Sequence, residues 1–122
     1  MFDHVTLGVA DLARSTAFYR AALAPLGIVE ILRGEAFAGF GRDGDPTFWI
    51  GARAGPAGRG AHVAFTAPDR GVVRAFHAAA LAAGGVDNGP PGPRPAYHPS
   101  YYGAFVNDPD GHNIEAVCHG PE

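Results

Sequence analysis

Sulfur and positive charge are both scarce in this chain of 122 residues. The one cysteine, Cys118, has no partner within the chain, which excludes an internal disulfide. No apolar run approaches the length needed to span a bilayer, so a helical membrane segment is not expected. The N-terminus has no basic stretch followed by an apolar one, the mark of a secretory signal. Together these absences lead to the expectation of a cytoplasmic protein. Nine basic residues against twelve acidic ones give a net charge of -3. That balance offers little to a nucleic acid or an anionic membrane, and neither is expected as a partner. What the chain has in plenty is 18 glycines and 11 prolines, close to the range in which disorder sets in. The 47% hydrophobic content and its clear periodicity argue instead for one folded domain with a real core.

The periodicity occurs twice. Shifted by 58 residues and without a gap, Asp3–Ile28 lies over Ala61–Val86, and ten of the 26 pairs are identical. The informative matches are His4/His62, Asp11/Asp69, Phe18/Phe76 and Gly27/Gly85. Each copy opens on an alternating segment, a strand with one aliphatic face (Val5, Leu7 and Val9; Val63 and Phe65). Asp11 and Asp69 then stand where helix N-caps belong, apolar residues come next at helical spacing, and Gly27 and Gly84–Gly85 end the helices. Each copy continues with strand-like segments: Ile28–Leu32, Ala36–Gly41 and Thr47–Ala52, then a short piece near Val86, Tyr102–Asn107 and Asn113–His119. Turn chemistry precedes the last of each set, at Asp43-Gly44 and Asp110-Gly111. Aligning those turns moves the offset to 67 and pairs Glu115 with Phe48.

Each half is thus β-α-β-β-β. One face of its sheet is covered by the helix and the other is bare. The expected fold is α+β, with two βαβββ modules closing into a cupped, barrel-like mixed sheet and the helices outside. It is a single domain over residues 1–122, with module one at 1–53, a Gly/Pro linker at 53–60 and module two at 61–119.

Strand parity then places the polar residues. Ile114, Ala116 and Cys118 belong to the helix-packing side of the last strand, which leaves Asn113, Glu115 and Val117 on the other. His4, His62 and Glu115 all lie opposite the aliphatic face of their strands and are the candidate metal ligands. Two imidazoles and a carboxylate suit one divalent Fe, Mn, Zn, Ni or Co ion and leave positions open for substrate or water. The Pro/Gly-rich stretch before Tyr102 reads as a loop at a cavity rim, where His98 and Tyr102 are candidate acid–base groups. His112 and His119 are expected to be exposed, and Asp108-Pro109-Asp110-Gly111 to be a turn.

The twofold βαβββ repeat, the first-strand His of each half, "FYRAALAPLGI" and above all "NDPDGHNIEAV" resemble the vicinal oxygen chelate superfamily. That group includes glyoxalase I, extradiol dioxygenases, fosfomycin-resistance proteins and bleomycin-binding proteins. The resemblance implies a metal on His4, His62 and Glu115, a small-molecule substrate chelated through neighbouring oxygens, and a homodimer whose sites are shared between chains. It also implies, for glyoxalase I-like members, a fourth ligand from the first half. Phe48 stands there under the offset of 67 and cannot ligate, which argues against four-ligand glyoxalase I chemistry. The alternative within the same resemblance is a metal-free binding protein of the bleomycin-resistance type.

Overall fold

The computed structural model describes residues 1–53 and 60–121. Most of the expected linker, residues 54–59, lies outside them. The element order is β1 (Val5–Val9), α1 (Leu12–Ala22), β2 (Val29–Arg33), β3 (Phe37–Arg42), β4 (Asp45–Ala52), β5 (His62–Thr66), α2 (Arg70–Ala82), β6 (Val86–Pro93), β7 (Tyr102–Asn107) and β8 (Asn113–Cys118). Both helices start as the sequence predicts. The Asp11 carboxylate accepts from Arg14 N at 3.1 Å and that of Asp69 from Val72 N at 2.8 Å, each satisfying an orphan N–H of the first turn. A 3-10 turn at Ala24–Leu26 succeeds α1 and stops at Gly27, whose φ of 73° is the left-handed conformation glycine adopts without a Cβ clash. The segment near Val86 runs further than expected, to Pro93. Its prolines are tolerated because β6 is an edge strand, and its pairing to β7 slips at two irregularities.

The strands form two four-stranded sheets, ordered β1-β4-β3-β2 and β5-β8-β7-β6. In each, the first strand runs parallel to the last and the other pairings are antiparallel. This confirms the repeat and corrects the expected closure. The sheets are not closed or curled into a barrel-like whole, and no ladder among the described residues joins one to the other. The reason lies in where the core sits. Helix α1 covers one face of the first sheet, α2 one face of the second, and the two helices touch each other. One apolar cluster runs through both modules, with Phe18, Tyr19, Phe40, Phe48, Phe76 and Ile114 all buried in it. Each such side chain contributes about 1.5–3 kcal/mol by leaving water. The apolar faces are therefore used against the helices and one another, and the helices flank the sheets as expected. The remaining face of each sheet is left open.

Polar contacts hold the modules in this arrangement. The Asp108–Gly111 turn is more than a chain reversal. Tyr19 donates its hydroxyl to Asp108, while Asp110 accepts from Ala10 N at 2.9 Å and Ser15 Oγ at 3.2 Å. Burial, reinforced by the Asp108 carboxylate, pushes the Tyr19 phenol far up, so it remains a donor. His112 is buried, contrary to the expectation of exposure. Its Nδ1 accepts from Ala61 N at 2.8 Å and its Nε2 lies 2.9 Å from Gly8 O, so the ring ties β1 to the entry of β5. His119 is exposed, as expected.

Candidate functional site

The register of each sheet decides which side chains share its open face. In the second sheet His62 pairs with Asn113, Ala64 with Glu115, and Phe105 with Glu115 from the other side. Directly paired residues point the same way, so His62, Asn113, Glu115 and Phe105 stand together on the face away from α2. His62 Nε2 lies 2.8 Å from Glu115 Oε1. The imidazole is half-exposed, whereas Glu115 is only 1% exposed.

A carboxylate buried this deeply needs donors or a cation on both oxygens. The donor to Oε2 is the Tyr101 hydroxyl. Burial and the Glu115 carboxylate raise the Tyr101 phenol well above its ordinary range, keeping the proton on the donor. The sequence points to Tyr102 rather than Tyr101, because Tyr102 opens the strand and Tyr101 falls just before it. Parity separates them. Tyr102 pairs with Cys118 on the helix side, where its hydroxyl accepts from Arg74 at 3.2 Å and Arg70 lies 4.8 Å over its ring. Tyr102 is buried there and does not reach the open face. Tyr101, one residue earlier, has the parity of Gly103 and Phe105 and does.

The other rim candidate, His98, is exposed; its Nδ1 accepts from Ser100 N at 3.1 Å, which leaves the proton of the neutral ring on Nε2. His98, His119 and Tyr101 stand edge to face in a row, at 5.7 and 5.2 Å, leading toward Glu115.

His4 lies elsewhere. It precedes β1, is half-exposed and has Nδ1 2.7 Å from Asp3 Oδ1. It borders a cavity of about 350 Å³ on the open face of the first sheet, with Thr6, Phe37, Pro46 and Trp49. Among the described residues of one chain, no three His, Cys, Asp or Glu side chains are grouped so as to hold a metal ion. The structure joins His62 to Glu115 and leaves His4 on the separate face of the other module.

The register also corrects the position expected to mirror Glu115. Val5 pairs with Phe48, and its repeat partner Val63 pairs with Ile114. Phe48 therefore mirrors Ile114, and Trp49 mirrors Glu115. Phe48 is 3% exposed, in edge contact with Tyr19 and Phe65, on the helix side. An offset of 66 rather than 67 holds at this strand, because the irregularity beside Gly41 lies between the turn used for alignment and the strand itself.

Comparisons with known proteins agree with this architecture. The family model of the glyoxalase/bleomycin resistance protein/dioxygenase superfamily matches residues 1–116. Among solved structures, a glyoxalase/bleomycin resistance protein from Albidiferax ferrireducens T118 is 36% identical, with 99% of each chain covered and a TM-score of 0.85. A family enzyme from Burkholderia phytofirmans PsJN is 21% identical over 97% of this chain and 98% of that one, with a TM-score of 0.76. A lactoylglutathione lyase from Agrobacterium tumefaciens is 20% identical over 97% and 92%, with a TM-score of 0.69. No curated protein sequence gives a significant match. The duplicated βαβββ module, the family match across both copies and the 36% identity over the whole length establish that this chain belongs to the glyoxalase/bleomycin resistance protein/dioxygenase superfamily, the vicinal oxygen chelate fold.

Proposed function

We propose that the protein is a metal-dependent enzyme acting on a small molecule with two neighbouring oxygens, its site completed between two chains. The observation that carries this reading is the His62–Glu115 pair. A nearly fully buried carboxylate meets an imidazole nitrogen at 2.8 Å on an open sheet face, with the Tyr101 hydroxyl on its other oxygen. That donor set fits a divalent first-row ion: Nε2 and Oε1 are ligating atoms of the right kind, already convergent, and the hydrogen bond from Tyr101 supports the carboxylate from behind. His4 occupies the equivalent place in the first module and would supply the third ligand from a second chain. When bound, the cation supplies Lewis acidity that stabilises negative charge developing on the substrate oxygens.

The chain's own residues do the rest. Tyr101 fixes the Glu115 carboxylate by holding Oε2 and leaving Oε1 toward His62. Phe105, 6.1 Å from the His62 ring, adds an apolar wall on one side of the imidazole. His98, with its proton on Nε2 and its ring exposed at the rim, is the group placed to exchange protons with solvent. Trp49, which cannot ligate, takes the place that mirrors Glu115 and so favours three protein ligands over four.

A second reading, a metal-free small-molecule binder, is favoured by the fact that both Glu115 oxygens already have partners within the chain. Metal analysis separates the two. Protein purified without chelator or nickel resin should hold about one divalent ion per site, and Glu115→Ala or His62→Ala should lose it, because a two-ligand remnant competes poorly with water. Equal metal in wild type and Glu115→Ala would contradict the metal reading and leave the binder.

A further inference from the structure

We infer that the ligand of this protein carries a planar, unsaturated ring, and that Trp49 is the shelf on which the ring stacks. The inference rests on the reading that the open sheet faces form the ligand site, and it names the class of molecule they take.

Trp49 pairs directly with Gly39 across β3 and β4, and Gly51 pairs with Phe37. The two aromatics share the open face with the two glycines beneath and beside them. The indole lies down on Gly39: a Cβ added there would stand 2.8 Å from Cζ3, 2.9 Å from Cε3 and 3.0 Å from Cη2 of Trp49. No side chain other than hydrogen at position 39 lets the ring lie so close to the sheet. The Phe37 ring meets the indole at 5.8 Å with its plane tilted by 54°, which braces one side. With one side against Gly39, Trp49 stays only part-buried, and it lines the cavity of about 350 Å³. That volume lies within the range of small-ligand sites.

The polar end of the same cavity is His4, with Asp3 on its Nδ1. One wall therefore offers a flat π surface and the adjoining one a ligating imidazole. A molecule that satisfies both has an aromatic ring next to its oxygen donors. Trp49 also stands at the register position where the other module carries Glu115. The half of the site that lacks a carboxylate has a stacking surface in its place.

The lone tryptophan makes the test direct, because all indole fluorescence comes from position 49. Three probes share the same 2-hydroxycarboxylate donors and differ only in the substituent on the hydroxyl-bearing carbon: mandelate (phenyl), hexahydromandelate (cyclohexyl) and lactate (methyl). Titrated into metal-loaded wild type, mandelate should quench the indole saturably and bind between about threefold and about tenfold tighter than hexahydromandelate, the margin of offset-stacked ring contact over apolar area alone. Lactate should bind weakest. By calorimetry, Trp49→Leu should erase the preference for phenyl over cyclohexyl, and Gly39→Ala, which lifts the indole, should reduce it. Equal binding of the phenyl and cyclohexyl probes, a preference that survives Trp49→Leu, or no saturable quenching by mandelate would each overturn the inference. The wild-type comparison stands even if a variant fails to fold. Metal content, measured on the same samples, reports separately on the metal reading, so failure of the shelf and failure of the metal site are told apart.

Discussion

At the scale of single residues the site turns on a hydroxyl. Glu115 is sealed from water and its Oε2 depends on the proton of Tyr101. Tyr101→Phe keeps the ring and its edge contacts with Tyr97 and His119 but leaves a buried oxygen without a donor. It should lower stability by about 1–3 kcal/mol, read from the urea midpoint, and loosen metal binding about tenfold or more as the carboxylate loses its support. An unchanged midpoint would show that the hydroxyl does not hold Glu115. His62 and Glu115 are legible from alternation alone, because a period of two is rigid over a six-residue strand such as β8. Tyr101 is not, because it lies outside β7 by one residue and its neighbour Tyr102 has the same composition signal with the opposite direction.

At the scale of elements, one misplaced residue reverses a prediction. Turn-to-turn alignment puts Phe48 opposite Glu115, and the β1–β4 and β5–β8 ladders put Trp49 there. The two positions should respond in opposite ways to a carboxylate. Phe48→Glu places a charge among Tyr19, Phe40 and Phe65 in the core and should cost more than about 4 kcal/mol, visible as lost cooperative unfolding. Trp49→Glu lies on the open face; it should stay folded and, with a carboxylate now mirroring Glu115, tighten zinc binding. A folded, stable Phe48→Glu variant would contradict the register. The helix starts, by contrast, are legible to the cap, while α1 itself stops at Ala22 and a 3-10 turn fills the stretch to Gly27. Asp11, Asp69 and Gly27 carry signals that are local in sequence, whereas the bulge beside Gly41 is a property of two paired strands and leaves no mark in either one.

At the scale of the whole molecule, the repeat announces two modules but not how they meet. Sequence periodicity says which face of each sheet is apolar. It does not say whether that face seeks the other sheet or the other helix, and in this chain the helices meet and share one core. The Tyr19–Asp108, Ala10–Asp110 and Gly8–His112 contacts that fix this arrangement join residues far apart in the chain. Both candidate faces are thereby left open, one with His4 and Trp49, the other with His62 and Glu115. A second copy related by a twofold axis can bring the first face of one chain to the second face of the other and make two equivalent sites.

The central claim, that His4 of one chain completes the His62–Glu115 site of another, is tested by mixing two crippled proteins. His4→Ala and Glu115→Ala chains are refolded together, exchange is verified with differently tagged chains, and tightly bound metal is counted per chain. If sites are shared, each mixed dimer carries one doubly damaged site and one intact site. Random mixing makes about half the dimers mixed, so about a quarter of all sites should regain tight metal binding. If each site is built within one chain, every site keeps a lesion, and metal retained at the level of the separate variants would contradict the account.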